Sequence, residues 1–377
     1  MLNKFVERLL SPKDDNYKSY SILKPVCGLR NLGNTCYMNC IIQSLSNTNQ
    51  IKNYCYYNQI DIEGKSGNKF IFKNSLIKAF IYLINSIWSG KYKIVTPLAL
   101  KDIISQTYPQ YGGKEPNDAH EFLLNLFDLL IIEFNKNNLP SNYSPKLELP
   151  KVNIKTYSLY NSYNSTESSS DQTSSSNSNS DMNEMINEKK KEEINLIENI
   201  FQGSLKKIIK CSNCKNEYEF FEPFFSLSIP IPNWNSNINH PISLESCLEL
   251  FFDEEMIEDW FCEKCKMKTN SLLTTQIFKI PKVLIIHIIK PFQSSSYYNK
   301  QYIKFPLEDL ILQTSPDHFY SFSLYSYINY YGNNKKGHYV CYNKIFNDWY
   351  CCDDETIYKY KCENKSDCIY LLFYKKN

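Results

Sequence analysis

Apolar positions recur with two different periods along the 377 residues, and the change of period divides the chain. From Gly28 to about Asn135 the spacing is helical. Apolar residues return every three or four positions in Asn74–Trp88, Leu98–Ile104 and Ala119–Phe134, which predicts three helices. Thr96-Pro97 predicts a helix start, with Thr as the cap and Pro in the first position. From Phe201 onward the signals are for strands, rich in Ile, Tyr, Phe and Val. They fall at Phe220–Pro232, Thr275–Ile289, Tyr302–Phe305, Phe319–Asn329, His338–Lys344 and Cys368–Tyr374. A short helix is expected at Ser243–Phe252. Helices first and strands second make an α+β layout.

Two stretches break the pattern. Residues 1–26 read as a polar leader. Residues 151–194 read as a low-complexity, disordered insertion: between Asn164 and Ser180, nine of seventeen residues are Ser and none is apolar. Such a segment buries too little surface to offset its chain entropy. A tolerated surface insertion is favoured over a phosphorylation-regulated one.

Composition narrows the class. The net charge is +2, so no strong field for nucleic acid is expected. The N-terminus has charges at positions 4, 7 and 8 and no apolar run, unlike a secretory signal. The apolar run Leu123–Ile132 is broken by Asn125 and Asp128, and none is long enough to span a bilayer. Without a secretory signal, the fourteen cysteines read as free thiols, metal ligands or a nucleophile. The expectation is a monomer of the cytoplasm or nucleus, with no nucleic-acid or membrane partner.

The chemistry begins at Gly28-Leu-Arg-Asn-Leu-Gly-Asn-Thr-Cys-Tyr-Met-Asn39. Cys36 follows a loop with two asparagines and opens a predicted helix. Helix N-termini carry free N–H groups and positive potential, both of which favour a thiolate nucleophile. A base is then required, and only five histidines exist. His120 lies on an apolar-periodic helix, His240 in a loop, His287 inside a buried strand and His318 in a polar turn. His338, in Gly337-His-Tyr339, opens a strand after a turn and is the remaining candidate. A hairpin from it to Trp349-Tyr-Cys-Cys-Asp-Asp-Glu355 brings Asp353, or the adjacent Asp354, alongside to orient the imidazole. Separately, Cys211-x-x-Cys214 and Cys262-x-x-Cys265 have the spacing of one tetrahedral, structural zinc ion.

These motifs resemble the ubiquitin-specific proteases, which are papain-like cysteine deubiquitinases. The resemblance runs from about Val26 to Tyr374 and includes Glu115-Pro-Asn-Asp-Ala-His-Glu-Phe122, Phe201-Gln-Gly-Ser-Leu-Lys, Lys304-Phe-Pro-Leu307 and Tyr370-Leu-Leu-Phe-Tyr374. It implies a papain-like fold over 27–375. Residues 27–135 would form a helical thumb, 200–290 β fingers bearing the zinc, and 300–375 a β palm. It also implies Cys36 as nucleophile, His338 as base, Asp353 as its orienting partner, Asn31 as oxyanion donor and Asp354 as a second polar residue there. Asp118 and Glu121 would meet arginines of the ubiquitin tail, and Gly337 and Tyr339 would line its channel. Ubiquitin and ubiquitinated proteins are the implied partners. A ubiquitin-binding pseudo-enzyme and a protease for a ubiquitin-like modifier are the alternatives. Tyr330-Tyr-Gly332, Lys290-Pro-Phe292 and Cys351-Cys352 depart from the family pattern without removing a catalytic atom.

Overall fold

The structure is a computed structural model, and it describes residues 27–59, 72, 75–138, 195–232, 240–290, 301–332 and 337–377. The predicted leader and insertion, 1–26 and 151–194, lie outside the described residues. The helices are α1 Cys36–Ser46, α2 Asn49–Tyr57, α3 Leu76–Trp88, α4 Leu98–Thr107, α5 Ala119–Asn138, α6 Leu196–Phe201 and α7 Leu244–Phe252. The strands are β1 Gly28–Leu29, β2 Ile94–Val95, β3 Gly203–Cys211, β4 Glu217–Phe224, β5 Leu227–Pro230, β6 Ile242–Ser243, β7 Glu255–Cys262, β8 Met267–Lys279 and β9 Val283–Ile289. They continue with β10 Ile303–Lys304, β11 Leu310–Ser315, β12 His318–Gly332, β13 Gly337–Ile345, β14 Asp348–Asp353, β15 Thr356–Tyr360, β16 Lys365–Ser366 and β17 Ile369–Lys376. Among the described residues, no helix is long and apolar enough to cross a membrane.

The three helices predicted from periodicity are α3, α4 and α5. Helix α4 starts one residue later than predicted, with Pro97 rather than Thr96 in the cap. Glu133 of α5 caps α3 from outside, accepting the N–H groups of Leu76 at 2.7 Å and Ile77 at 3.2 Å. A carboxylate there meets free donors and the positive helix end.

The large sheet runs β15-β14-β13-β12-β17-β9-β5, with β11 also paired to β12. Its pairs are antiparallel except β5 with β9. The continuous apolar run Val283-Leu-Ile-Ile-His-Ile-Ile289 needs burial on both faces, and the sheet supplies it. Val283 and Ile285 join the helical core, whereas Leu284, Ile286 and Ile288 join the core on the opposite face with α7. β17 alternates likewise: Leu371 and Phe373 face the helices, and Leu372 and Tyr374 face away.

A second sheet, β4-β3-β8-β7, has its own small core around Ile209 and Trp260. Two predicted strands are each divided between the sheets. Phe220–Pro232 becomes β4 and β5, and Thr275–Ile289 becomes β8 and β9. The 200–290 span expected to form fingers therefore also supplies two strands of the large sheet. Apolar residues continue across both breaks, so periodicity does not mark the change of sheet. Pro281, which has no N–H for a ladder, lies at the second break.

β1 links the helical half to the sheet. Its Gly28 N–H donates to Lys93 O at 2.8 Å, and its Leu29 N–H to Asp354 O at 2.8 Å. A Cβ on Gly28 would lie 2.3 Å from the Glu355 carbonyl oxygen, so only glycine fits. Gly28→Ala is expected to lower stability by about 1–3 kcal/mol, as overpacking does. A denaturant titration checks this; an unchanged midpoint would contradict the packing described.

Candidate functional site

The loop ahead of Cys36 is built by its own side chains. Gly33 at φ +103° and Asn34 at φ +53° take left-handed conformations, which Gly and Asn tolerate best. Asn31 Oδ1 accepts the N–H groups of Gly33 at 2.9 Å and Thr35 at 3.2 Å, and the Thr35 hydroxyl at 3.3 Å. Thr35 Oγ1 in turn accepts Leu32 N–H at 2.8 Å. The folded loop delivers Cys36 as the first residue of α1, only 7% exposed. Its N–H belongs to the first turn, which has no helical acceptor.

The sheet brings up the partners. His338 is the second residue of β13 and Asp353 the last of β14, strands paired through Cys341↔Cys352. His338 Nε2–H donates to Asp353 Oδ1 at 2.6 Å. That fixes the tautomer and leaves Nδ1 for the thiol. The imidazole is pushed up to about 9 from an ordinary 6.5, first by its hydrogen bond with Cys36 and also by Asp353, against desolvation. His338 and Asp353 therefore pair as predicted, and Cys36, about 300 residues earlier in the sequence, is near enough to His338 to raise its imidazole.

Asp354 follows at φ +47° and makes the β14–β15 turn. Its carboxylate accepts Asn31 Nδ2–H at 2.6 Å and Asn39 Nδ2–H at 2.7 Å. It does not touch His338 through any described hydrogen bond; it ties the thiol loop to α1. Asn39 was not singled out in the sequence, although it lies three residues after Cys36 and so on the same helix face.

Asp118 and Glu121 differ sharply. Asp118 is not on the helix face but caps α5. Its Oδ1 accepts the N–H groups of His120 at 2.8 Å and Glu121 at 2.9 Å, and its Oδ2 accepts the hydroxyls of Tyr370 and, at 3.4 Å, Tyr339. Glu121 remains exposed, and burial of its surroundings raises its carboxyl, helped by Asp118. Tyr339 is buried at 8% exposure, with its ring 4.6 Å from Tyr330 and 5.3 Å from Tyr370. The Tyr330 ring lies across Gly337, where a Cβ would come within 2.1 Å of its hydroxyl. Tyr339 thus packs among buried rings, and Gly337 makes room for one of them.

Two of the excluded histidines, His120 and His287, pack against each other. The His120 and His287 rings stack at 4.1 Å, with Ser226 Oγ 2.8 Å from His120 Nε2 and Ser228 Oγ 3.0 Å from His287 Nδ1. Desolvation lowers both, His287 to about 3. They join α5 to the sheet as neutral rings.

The four cysteines of the small sheet converge. Their sulfur atoms all lie within 4.8 Å of one another, with Cys211–Cys265 at 3.9 Å and Cys214–Cys262 at 3.6 Å. Sulfurs at about 2.3 Å from a tetrahedral ion would be about 3.8 Å apart, so the group can hold a metal ion. The two turns have the same construction. Lys215 N–H donates to Cys211 O at 3.0 Å, and Lys266 N–H to Cys262 O at 2.8 Å. Both lysines are left-handed, at φ +59° and +55°. Outer hydrogen bonds reach the sulfurs from Asn213 Nδ2 to Cys265 and from Cys265 N–H to Cys262, as ligand shells require.

The pH behaviour follows from the raised imidazole. Its folded value lies above its ordinary one, so its stabilising charge is complete below about pH 6.5 and is lost as pH rises through 9. NMR titration should show His338 near 9 in the wild type. It should fall furthest in Cys36→Ala and less in Asp353→Asn, because the thiol is the larger cause. An unmoved titration in Cys36→Ala would overturn this geometry.

Comparison with known proteins supplies the family. Residues 27–374 match a protein-family model described as ubiquitin carboxyl-terminal hydrolase. Ubiquitin carboxyl-terminal hydrolase Usp2 of Drosophila melanogaster is 28% identical over 389 residues, covering 96% of this chain and 37% of that protein. Ubiquitin carboxyl-terminal hydrolase 2 of Homo sapiens is 28% identical over 383 residues, covering 98% of this chain and 58% of that protein. The chain thus spans well under two thirds of these relatives. The solved SAGA Ubp8/Sgf11/Sus1/Sgf73 DUB module bound to ubiquitin aldehyde matches with TM-score 0.62 at 18% identity, covering 94% of this chain and 70% of the matched chain. The same module bound to monoubiquitin matches at TM-score 0.66 and 18% identity, over 100% and 74%. At that identity the likeness is one of fold, a papain-like one. With the matched segment running from just ahead of the thiol loop to the last strand, the chain belongs to the ubiquitin carboxyl-terminal hydrolase family, the ubiquitin-specific proteases its motifs resemble.

Proposed function

We propose that the protein is a cysteine-type deubiquitinase, which hydrolyses the isopeptide or peptide bond after the C-terminal glycine of ubiquitin. The observation that carries this is the alignment of Cys36, His338 and Asp353 at the head of a buried helix, in a chain of this family. His338 Nδ1, with its raised proton affinity, takes the thiol proton. Cys36 Sγ attacks the glycine carbonyl, and the imidazolium then gives the proton to the leaving amine. Water hydrolyses the thioester with His338 as base. Asp353 keeps the ring oriented throughout. The N–H of Cys36 and the free Nδ2–H of Asn31 receive the oxyanion; losing one such donor typically costs about 2.7–4 kcal/mol in barrier.

For the ubiquitin tail, Glu121 is the better partner for an arginine. The Asp118 carboxylate is already taken by a helix cap and two tyrosines. The Tyr330, Tyr339 and Tyr370 rings back the channel and keep it stiff. The four cysteines are assigned to a structural zinc, which supplies cohesion to a sheet with a very small core.

Two measurements test this. Ubiquitin with a C-terminal electrophile should form a covalent adduct with the wild type and none with Cys36→Ala; a wild type that stays unmodified refutes the assignment. Purified protein should carry about one zinc per chain, and a strong chelator should lower its melting temperature. Well under one zinc per chain sinks the metal assignment.

A further inference from the structure

We propose that Asn39 is a positioning residue for the oxyanion side of the site, acting through Asp354 on Asn31. The proposal rests on the cysteine-protease reading above. Asn31 can serve an oxyanion only if its amide is held in one orientation, because a flipped amide would present an oxygen. Its Oδ1 edge is held by Gly33 and Thr35, and one of its two Nδ2–H groups by Asp354 Oδ2 at 2.6 Å. That leaves a single N–H free. Asp354 can hold this amide only if its own carboxylate is aimed, and its other oxygen is the one gripped by Asn39 Nδ2–H at 2.7 Å.

Asn39 itself is 2% exposed and rooted in α1, one turn beyond Cys36. Its Nδ2 also faces the carbonyls of Leu29 and Arg30, each at 3.4 Å. The relay therefore measures the loop against the helix that carries the nucleophile. Two further observations argue that packing alone does not account for Asn39. Its Oδ1 is buried with no hydrogen-bond partner among the described residues, an arrangement that weakens the fold. A leucine of similar volume would not carry that orphan oxygen. Moreover, the Asp354 carboxylate lies between the two amides, with one oxygen on each.

The test uses Asn39→Leu, with Asn39→Ala as the smaller replacement and Asp354→Asn as the variant one step nearer Asn31. In Asn39→Leu, kcat on a fluorogenic ubiquitin C-terminal amide should fall at least about tenfold, below the ~10²–10³ lost with an oxyanion donor itself. KM should stay within about twofold, since ground-state binding is untouched. Affinity for ubiquitin aldehyde, whose adduct carries the tetrahedral oxygen, should fall by a factor similar to that in kcat. Trapping by a ubiquitin vinyl sulfone should proceed as in the wild type.

A kcat within about twofold of wild type in Asn39→Leu overturns the proposal, as does a lowered kcat with unchanged aldehyde affinity. If Asn39→Leu fails to fold, Asn39→Ala decides by the same two readouts: a fall in both kcat and aldehyde affinity supports the relay, and an unchanged kcat overturns it. Failure of the wild type to react with vinyl sulfone is a separate result, which removes the underlying reading.

Discussion

One helix seated on one sheet governs the rest of the structure; apolar packing buries it, and polar contacts fix where it sits. All eleven residues of α1 are buried. Ser326 Oγ–H donates to Ser44 Oγ at 2.9 Å, Asn343 Nδ2 to Gln43 O at 3.1 Å, and Asn47 Nδ2 to both Tyr325 O and Lys344 O. Apolar contacts alone would let the helix slide. Directional bonds in a dry interface do not, because a shift leaves buried donors unmatched. The position of Cys36 relative to β13, and hence to His338, is set by this seam.

The same sheet edge then does three tasks with consecutive residues. Asp353 orients the imidazole, Asp354 binds two asparagines through its side chain and Leu29 through its carbonyl, and Glu355 presses its backbone against Gly28. The β14–β15 turn thus closes over the thiol loop. The turn explains the economy: Asp353 is the last residue of β14, and the left-handed Asp354 turns the chain so that its carboxylate reaches the loop asparagine while Asp353 reaches the base.

Stabilisation is distributed unevenly. The large sheet is buried on both faces and needs no help. The small sheet relies on exposed ion pairs such as Lys206–Glu219 at 2.6 Å, which contribute little in water, and on a core of few residues. A four-cysteine cluster at its end fits that deficit.

Contiguous residues were enough to read the local chemistry. The loop before Cys36, the Cys-x-x-Cys turns, the three helices and the strand carrying His338 all follow from spacing and residue type, because each is decided within about one helical or hairpin turn. Elimination among five histidines left His338, the ring that lies beside Asp353. Tertiary structure alone decided the rest. The division of β8 from β9 lies between residues of one apolar pattern. The engagement of Asp118 depends on Tyr339 and Tyr370, more than 200 residues away, and the tie from Asn31 through Asp354 to Asn39 depends on a turn more than 300 residues away. A carboxylate's availability is a matter of which donors surround it in space, and no periodicity along the chain encodes that.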